Sequence, residues 1–231
     1  MQLQKLTKYR RSEEKRRFDD ACGLAHAMEL LGERWAMLVL RELAYGPRRF
    51  SELRSDLQGI SANVLTQRLS ELEDRGLVRK VKLPPPASVQ VYEATEWGLQ
   101  AVPVIAALGR WAARSPLHNP ALRMSHVSII MSLQTLISPE RAAGLEARIG
   151  FRLGNAAYVA TVHDGRLDVD RGEPDGCDAT FIGDPSAVAG VIHGGAPFDT
   201  IRIEGDLDLA KRFVTLFPLP AKVGAAKVRA D

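Results

Sequence analysis

The chain has 231 residues, of which 45% are hydrophobic and 26% are charged, close to the average for soluble globular proteins. This length exceeds one typical domain and suits two small ones. No apolar run approaches the roughly 18–20 residues that cross a bilayer, and the basic first twenty residues precede no apolar stretch, so we expect no membrane association and no signal peptide. Two cysteines, Cys22 and Cys177, exclude a disulfide framework and indicate a cytoplasmic protein.

The net charge of +3 is unevenly distributed. Residues 1–120 contain 19 lysines and arginines against 14 acidic residues, whereas residues 121–231 contain 12 against 14. A basic region of this kind favours a polyanionic partner for the first half of the chain.

A segment with two prolines, Pro116 and Pro120, separates two apolar-periodic regions. All three tryptophans precede it and five of seven phenylalanines follow it, as expected for two separate cores. We therefore predict a basic arm (1–19), a first domain (20–114), a linker (115–121), a second domain (122–220) and a tail (221–231).

The first domain has the periodicity of helices. Apolar residues recur every three or four positions over residues 22–44, and Gly32 between two groups of them predicts two helices. Ser51 is predicted to cap a short third helix, and Ser61 to cap a fourth that runs to about Arg75 and ends at Gly76.

After Gly76 the apolar period changes to two, which predicts a β-hairpin of residues 77–83 and 89–93 with a proline-rich tip. Thr95 is predicted to cap a last helix, from Glu96 to Arg114, which Pro103 should kink. Two helices joined by a short turn and followed by a basic hairpin are typical of a winged helix-turn-helix domain.

The helix after Ser61 has the residue types that read base edges. Its leucines cluster on one side, and the opposite side carries small, hydroxyl and amide groups, with no carboxylate before Glu71. The predicted base-contacting residues are Ser61, Asn63, Thr66 and Gln67. The predicted phosphate-contacting residues are Arg48, Arg49, Ser51, Arg68, Arg79, Lys80 and Lys82. The alternative is a protein-interaction module with a solvated polar face.

Seven motifs occur in order along this domain: Cys22, LGERW at 31–35, LREL at 40–43, GPRRFSEL at 46–53, GIS at 59–61, LTQRL at 65–69 and YEAT at 92–95. In these motifs the chain resembles the HxlR-type winged-helix regulators over about Asp20 to Arg114. The resemblance implies a transcription regulator that binds double-stranded DNA at a palindromic operator as a homodimer. Asn63 stands where the family often has lysine, which implies a different operator or affinity.

The last helix of the first domain is the candidate dimer helix. It is apolar on more than one side, with Trp97, Ile105, Leu108 and Trp111 as the predicted contacts. A two-fold dimer would supply the second half-site. The alternative is a buried core helix.

Cys22 has two interpretations. The resemblance implies a redox or electrophile sensor, and a helical thiol near Arg34 or the basic arm would have a lowered pKa. The alternative is that Cys22 packs as a small hydrophobic residue.

The second domain has an α+β pattern. Residues 127–149 predict one or two helices broken near Pro139, and residues 157–163 and 166–170 predict a hairpin. A strand at 179–182, a helix starting at Asp184-Pro185, a strand at 200–204 and a helix capped by Asp206 follow.

In this order the region from about Leu122 to Pro220 resembles the sterol-carrier-like domains. The resemblance implies an elongated apolar cavity for a small hydrophobic effector. The candidate lining residues, which form a filled core in the alternative interpretation, are Phe181, Val188, Ile192, Phe213 and Phe217.

The five histidines are scattered without metal-ligand spacing, so we predict no metal, no cofactor and no catalysis. The sequence thus predicts a dimeric DNA-binding regulator modulated by a hydrophobic effector. One alternative is a lipid-like carrier or enzyme that uses the winged domain only for dimerisation. Another is a Cys22 switch with an inert second domain.

Overall fold

A computed structural model describes residues 18–86 and 88–224. Most of the predicted basic arm and the tail from residue 225 onward lie outside the described residues. The chain forms two units, the first of residues 18–43 and 47–99 and the second of residues 44–46 and 100–224. This division falls earlier than the predicted linker at 115–121. The reason is that residues 102–112 pack against the helix of residues 126–136.

The first unit consists of helices and one hairpin. Its elements are α1 (Gly23–Leu31), α2 (Ala36–Glu42), α3 (Phe50–Asp56), α4 (Ala62–Asp74), β1 (Val78–Lys82), β2 (Gln90–Ala94) and α5 (Glu96–Gln100). Helix α2 packs against α3 and α4, and α4 packs against β1. The two strands are antiparallel, with Val78 opposite Ala94. The predicted winged helix-turn-helix order is confirmed.

Local hydrogen bonds explain where these elements begin and end. The Ser61 Oγ accepts from the Val64 N–H at 3.3 Å, and the Thr95 Oγ1 accepts from the Gly98 N–H at 3.0 Å. Gly76 ends α4 at a φ of +72°, which a residue with a Cβ rarely adopts. These predicted boundaries are confirmed.

The predicted cap at Ser51 is wrong. Helix α3 begins at Phe50, so Ser51 lies inside its first turn. Arg49 is the residue that immediately precedes α3, and its backbone N–H donates to the Glu52 carboxylate at 2.9 Å.

The predicted kinked helix is instead two helices, α5 and α6 (Val102–Ala112), separated at Ala101. Pro103 lies in the first turn of α6, where its missing N–H removes no helical hydrogen bond. Helix α6 belongs to the second unit, in which the Arg110 guanidinium donates to the Thr135 carbonyl at 2.6 Å.

The second unit is a five-stranded sheet with helices packed on it. Its further elements are α7 (His126–Leu136), α8 (Pro139–Ala142), β3 (Ala147–Leu153), β4 (Ala156–His163), β5 (Arg166–Arg171), β6 (Ala179–Gly183), α9 (Pro185–Gly194), β7 (Arg202–Gly205) and α10 (Leu207–Val214). The strand order is β5-β4-β3-β6-β7, in which β3 and β6 pair in parallel and the other neighbours are antiparallel.

The α+β pattern of this unit is confirmed, with one correction. The hairpin of β4 and β5, strand β6 and the caps at Asp184 and Asp206 lie where the sequence predicts them. Residues 147–149, predicted as helix, instead begin β3. Ile149, Phe151 and Leu153 are buried at alternate positions, which is the period of two of a β-strand.

Candidate nucleic-acid interface

One side of α4 is polar and open to solvent. Ser61, Asn63, Thr66 and Gln67 are all exposed, and Ser70 continues the row. The opposite side is buried through Leu65, Leu69 and Leu72. The residues predicted to contact bases therefore lie together on the exposed side of one helix.

A carboxylate links two consecutive residues of this helix. The Gln67 amide nitrogen donates to the Glu71 Oε1 at 3.0 Å, and the Arg68 guanidinium donates to the other oxygen, Oε2. Arg68 Nη1 also lies 3.5 Å from the Glu33 Oε2. The three side chains of α4 thus form a connected network that the sequence analysis did not include.

Arg48 and Arg68 do not have the exposed position expected of phosphate contacts. Arg68 is 7% exposed and Arg48 is 4% exposed. The Arg48 guanidinium lies 2.5 Å from Asp56 and 3.2 Å from Glu52. Both predictions are corrected: these guanidinium groups are held inside the first unit by carboxylates.

Arg48 also joins two parts of the first unit through its backbone. Its N–H and C=O exchange two hydrogen bonds of 2.8 Å with Tyr92 of β2. Its Nη1 lies 3.8 Å from Glu42, which is buried at the end of α2. The hairpin is therefore tied to both α2 and α3 at this residue. The sequence signal for this buried arginine was Glu42, because an acidic residue at the end of the largely apolar α2 needs a cation beside it when it is buried.

The other predicted phosphate contacts are exposed: Arg49, Ser51, Arg79, Lys80 and Lys82. Arg79 pairs with Glu93 across the hairpin at 2.5 Å, and the Lys80 ammonium lies 5.9 Å from the Tyr92 ring centre. Lys80 and Lys82 are two residues apart on β1 and so share one face. Arg54 on α3 is an exposed cation that the sequence analysis omitted.

Cys22 is exposed and immediately precedes α1. The backbone N–H groups of Leu24 and Ala25 lower the pKa of its thiol, because they stabilise the thiolate at the helix N-terminus. The expected cause was Arg34 or the arm. The Arg34 guanidinium lies 5.5 Å from the Trp35 ring centre, and most of the arm lies outside the described residues.

The candidate dimer residues are not core residues of the described chain. Leu108 and Trp111 are 45% and 70% exposed, Trp97 is also exposed, and Ile105 is half-buried. No residue of α6 is fully buried. The buried-helix alternative is therefore wrong for this chain by itself.

The five candidate lining residues of the second unit are buried in one hydrophobic cluster. The Phe213 ring centre lies 5.7 Å from that of Phe181 and 4.8 Å from that of Phe217, and the Phe181 ring stacks on Phe151 at 5.4 Å. Val188 and Ile192 belong to the same cluster. These side chains pack directly on one another, as in the filled-core alternative.

Over residues 18–86 and 88–224, no helix is long and apolar enough to cross a membrane. The same residues contain no group of three or more side chains suited to hold a metal ion.

A family model described as HxlR-like helix-turn-helix matches residues 30–118. The uncharacterized HTH-type transcriptional regulator YvaP of Bacillus subtilis (strain 168) is 34% identical over 86 residues, which are 37% of this chain and 80% of that protein. The chain belongs to the HxlR family of transcriptional regulators. The relatives are named as HTH-type transcriptional regulators, and this HxlR protein is a transcriptional regulator.

Two further comparisons concern the regulator YodB of the same organism. YodB is 36% identical over 86 residues, which are 37% of this HxlR protein and 77% of YodB. A solved structure of its reduced form has a TM-score of 0.38, with 32% identity over 42% of this chain and 97% of that one. The likeness of the second unit to sterol-carrier-like domains stays a prediction.

Proposed function

We propose that this HxlR protein binds DNA as a homodimer, with α4 in the major groove and exposed cations on the phosphates. The observation that supports this most is the exposed row from Ser61 to Ser70, which contains no carboxylate and lies opposite buried leucines. Hydroxyl and amide groups both donate to and accept from base edges. Carboxylates on this row would be repelled by DNA phosphates, whereas the solvated face of a protein-interaction module could carry them at no cost.

The exposed cations support the positioning part of this proposal. Arg49 precedes α3, and Lys80 and Lys82 lie on β1, the strand that packs against α4. The elements before and after α4 in the chain therefore both carry exposed positive charge. Such groups set the register of a protein on the duplex and give its affinity a steep salt dependence, without reading sequence.

Dimerisation is supported by unpartnered apolar surface on α1 and, separately, on α6. Leu24 and Met28 are exposed on α1, and Val104, Leu108 and Trp111 are exposed on α6. Exposed apolar groups concentrated on one element indicate a protein contact. One α4 reads few base pairs, and a two-fold dimer places a second copy about 34 Å away, one turn along the duplex.

Selection from random duplexes with the full chain tests DNA reading, followed by affinity measurements at several salt concentrations. Thr66→Ala should relax the selected sequence. Arg49→Ala and Lys82→Ala should each lower the slope of log affinity against log salt concentration by about 1, and the selected DNA sequence should stay the same. Lys211→Ala, an exposed lysine on α10, is the matched control. Enrichment of no sequence would favour the carrier alternative.

Sedimentation equilibrium tests the dimer. Leu108→Lys places a charge on the proposed contact and should give a monomer that keeps its helical content. Leu207→Lys is the matched control, because Leu207 is also 45% exposed but lies on α10. A dimer unaffected by Leu108→Lys contradicts this assignment of the contact.

A hydrophobic effector of the second unit remains a prediction of the sequence. Because its five proposed contacts pack on one another, an effector must displace buried aromatic rings. Operator affinity with and without a long-chain fatty acid tests the prediction, and an unchanged affinity removes the effector from the function.

A sensor role of Cys22 is a second candidate, favoured by the exposed thiol and its lowered pKa. In this role the thiolate is oxidised by hydrogen peroxide and operator affinity changes. Cys22→Ser should abolish the response. Cys177→Ser is the control, since burial raises the pKa of that thiol. A full response in Cys22→Ser contradicts the role.

A further inference from the structure

We propose that Gln67 reads an adenine in each operator half-site, and that Glu71 and Arg68 are positioning residues that orient its amide. This inference rests on the proposed DNA-binding function and specifies which base the exposed row recognises. It is carried by the contacts that join the three side chains on α4.

The first step is the direction of one hydrogen bond. Gln67 and Glu71 are one helical turn apart, and 3.0 Å separates the Gln67 Nε2 from the Glu71 Oε1. An ionised carboxylate only accepts hydrogen bonds, so the amide must face Glu71 with its nitrogen. The Gln67 carbonyl oxygen therefore points away from Glu71.

The second step is what holds Glu71. Its side chain is 14% exposed, and its other oxygen, Oε2, accepts from Arg68. Arg68 is itself buried and lies 3.5 Å from Glu33. Because a buried arginine holds this carboxylate at Oε2, the carboxylate sets the orientation of the exposed amide and does not follow it.

The third step is the pattern left for a base. A primary amide has two N–H groups, and donation of one to Glu71 leaves the carbonyl oxygen and the other N–H. Adenine presents an N6 donor and an N7 acceptor in the major groove, which match this pair. Guanine presents two acceptors there, thymine an acceptor and a methyl group, and cytosine a donor. Adenine alone satisfies both remaining groups.

Holding the Gln67 amide in place before DNA binds favours the contact with adenine, because a glutamine that is not held loses rotamer freedom when it binds a base. It also disfavours the flipped amide, which would turn its carbonyl oxygen toward the Glu71 carboxylate. The positive charge of Arg68 beside Glu71 reduces the repulsion between this carboxylate and the DNA phosphates.

The experiment uses the full chain and the duplex obtained by selection. Each adenine is replaced in turn by 7-deazaadenine, which lacks the N7 acceptor, or by purine, which lacks the N6 amine. We expect one adenine per half-site at which either replacement weakens binding by about 5- to 150-fold. Gln67→Ala should bind the natural and modified duplexes equally at that position.

The positioning role has its own variant and control. Glu71→Gln keeps the size of the side chain but can donate as well as accept, so it no longer dictates the Gln67 orientation. We expect discrimination at the same adenine to fall at least several-fold, while Glu73→Gln, the same charge change at an exposed residue of α4, leaves it unchanged. Circular dichroism checks that each variant keeps its helical content.

The outcomes separate the two proposals. If the selection enriches a sequence but Gln67→Ala keeps the wild-type pattern at every adenine, the adenine assignment is overturned and DNA reading stands. If Glu71→Gln keeps full discrimination, the positioning role is overturned. If no duplex is enriched by the wild-type chain, the proposed function fails, and this inference with it.

Discussion

In the first unit the buried polar residues are arginine and glutamate, whereas in the second unit they carry hydroxyl and imidazole groups. Glu42, Arg48 and Arg68 are buried in the first unit, and Ser125, His126 and Thr180 in the second. The second unit instead encloses an aromatic cluster around Phe213. A buried ion pair contributes little net stability but demands defined geometry, because each charge needs its partner.

This difference relates to what each unit exposes. The buried charges of the first unit hold the elements that carry exposed polar groups: Arg68 orients residues of α4, and Arg48 ties the hairpin to α2 and α3. The second unit relies on apolar packing across a sheet. We infer that the first unit is organised for orientation and the second for stability, and four changes of decreasing expected effect test this contrast.

Phe213→Ala should have the largest effect. The Phe213 ring contacts those of Phe151, Phe181 and Phe217, so its removal leaves a cavity that apolar neighbours cannot fill. We expect the free energy of unfolding of the second unit to fall by about 3–5 kcal/mol in urea titrations. Phe18→Ala, an exposed phenylalanine, is the control and should change it by less than about 0.5 kcal/mol. Equal effects would contradict a tightly packed aromatic core.

Arg48→Ala should destabilise the first unit by about 3 kcal/mol, because it leaves Glu42 buried without this cation. The neighbouring Arg49→Ala should change the free energy of unfolding by less than about 0.5 kcal/mol, since Arg49 is exposed. Urea unfolding of both variants checks the pair. Similar values for the two arginines would remove the distinction between an internal and a DNA-facing cation.

The second unit should lose stability in mild acid through His193. Burial lowers the pKa of this imidazole from 6.5 to about 4, against a smaller opposing effect of the Phe217 backbone. Below pH 6.5 the unfolded chain binds a proton that the folded chain does not, so stability is complete above pH 6.5 and falls as the pH approaches 4.

The expected loss is about 2 kcal/mol between pH 7.5 and pH 5. Urea titrations at several pH values measure it, and His193→Gln should remove this part of the pH dependence. His118→Gln, at an exposed histidine, is the control and should retain it. A pH profile that His193→Gln does not change would contradict the burial effect.

Ser61→Ala should have the smallest effect on stability, about 1 kcal/mol, because α4 loses its N-terminal side-chain acceptor. Ser51→Ala is the control, since Ser51 lies inside the first turn of α3 and makes no cap. Thermal unfolding compares the two. A larger loss in Ser51→Ala would reverse the assignment of the two serines.

Local features of this protein were predictable from sequence because the residues that cause them are neighbours. The Ser61 cap and the end of α4 at Gly76 depend on groups within one turn, and the period of two after Gly76 depends on the strand alone. The Asp184-Pro185 helix start is of the same kind. The exposed row of α4 followed from the spacing of its leucines.

Three of the errors concern partners that are distant in sequence. Arg68 has the spacing of a flanking residue, yet Glu33, 35 positions earlier, takes part in its burial. Strand β3 lies between β4 and β6 in the sheet, and β6 follows the β4–β5 hairpin in the chain. The apolar residues of β3 alone did not distinguish this strand from a helix. The boundary at residue 99 arises from the packing of α6 on α7.

By itself, the sequence determined the winged helix-turn-helix order, the capped helix α4 with its polar row, and the α+β pattern of the second unit. The tertiary structure decided which cations are internal, that the phenylalanines pack on one another, and that Glu71 joins Gln67 to Arg68. The physical reason is that backbone periodicity and capping act over a few residues, whereas the environment of a long side chain depends on every element packed around it.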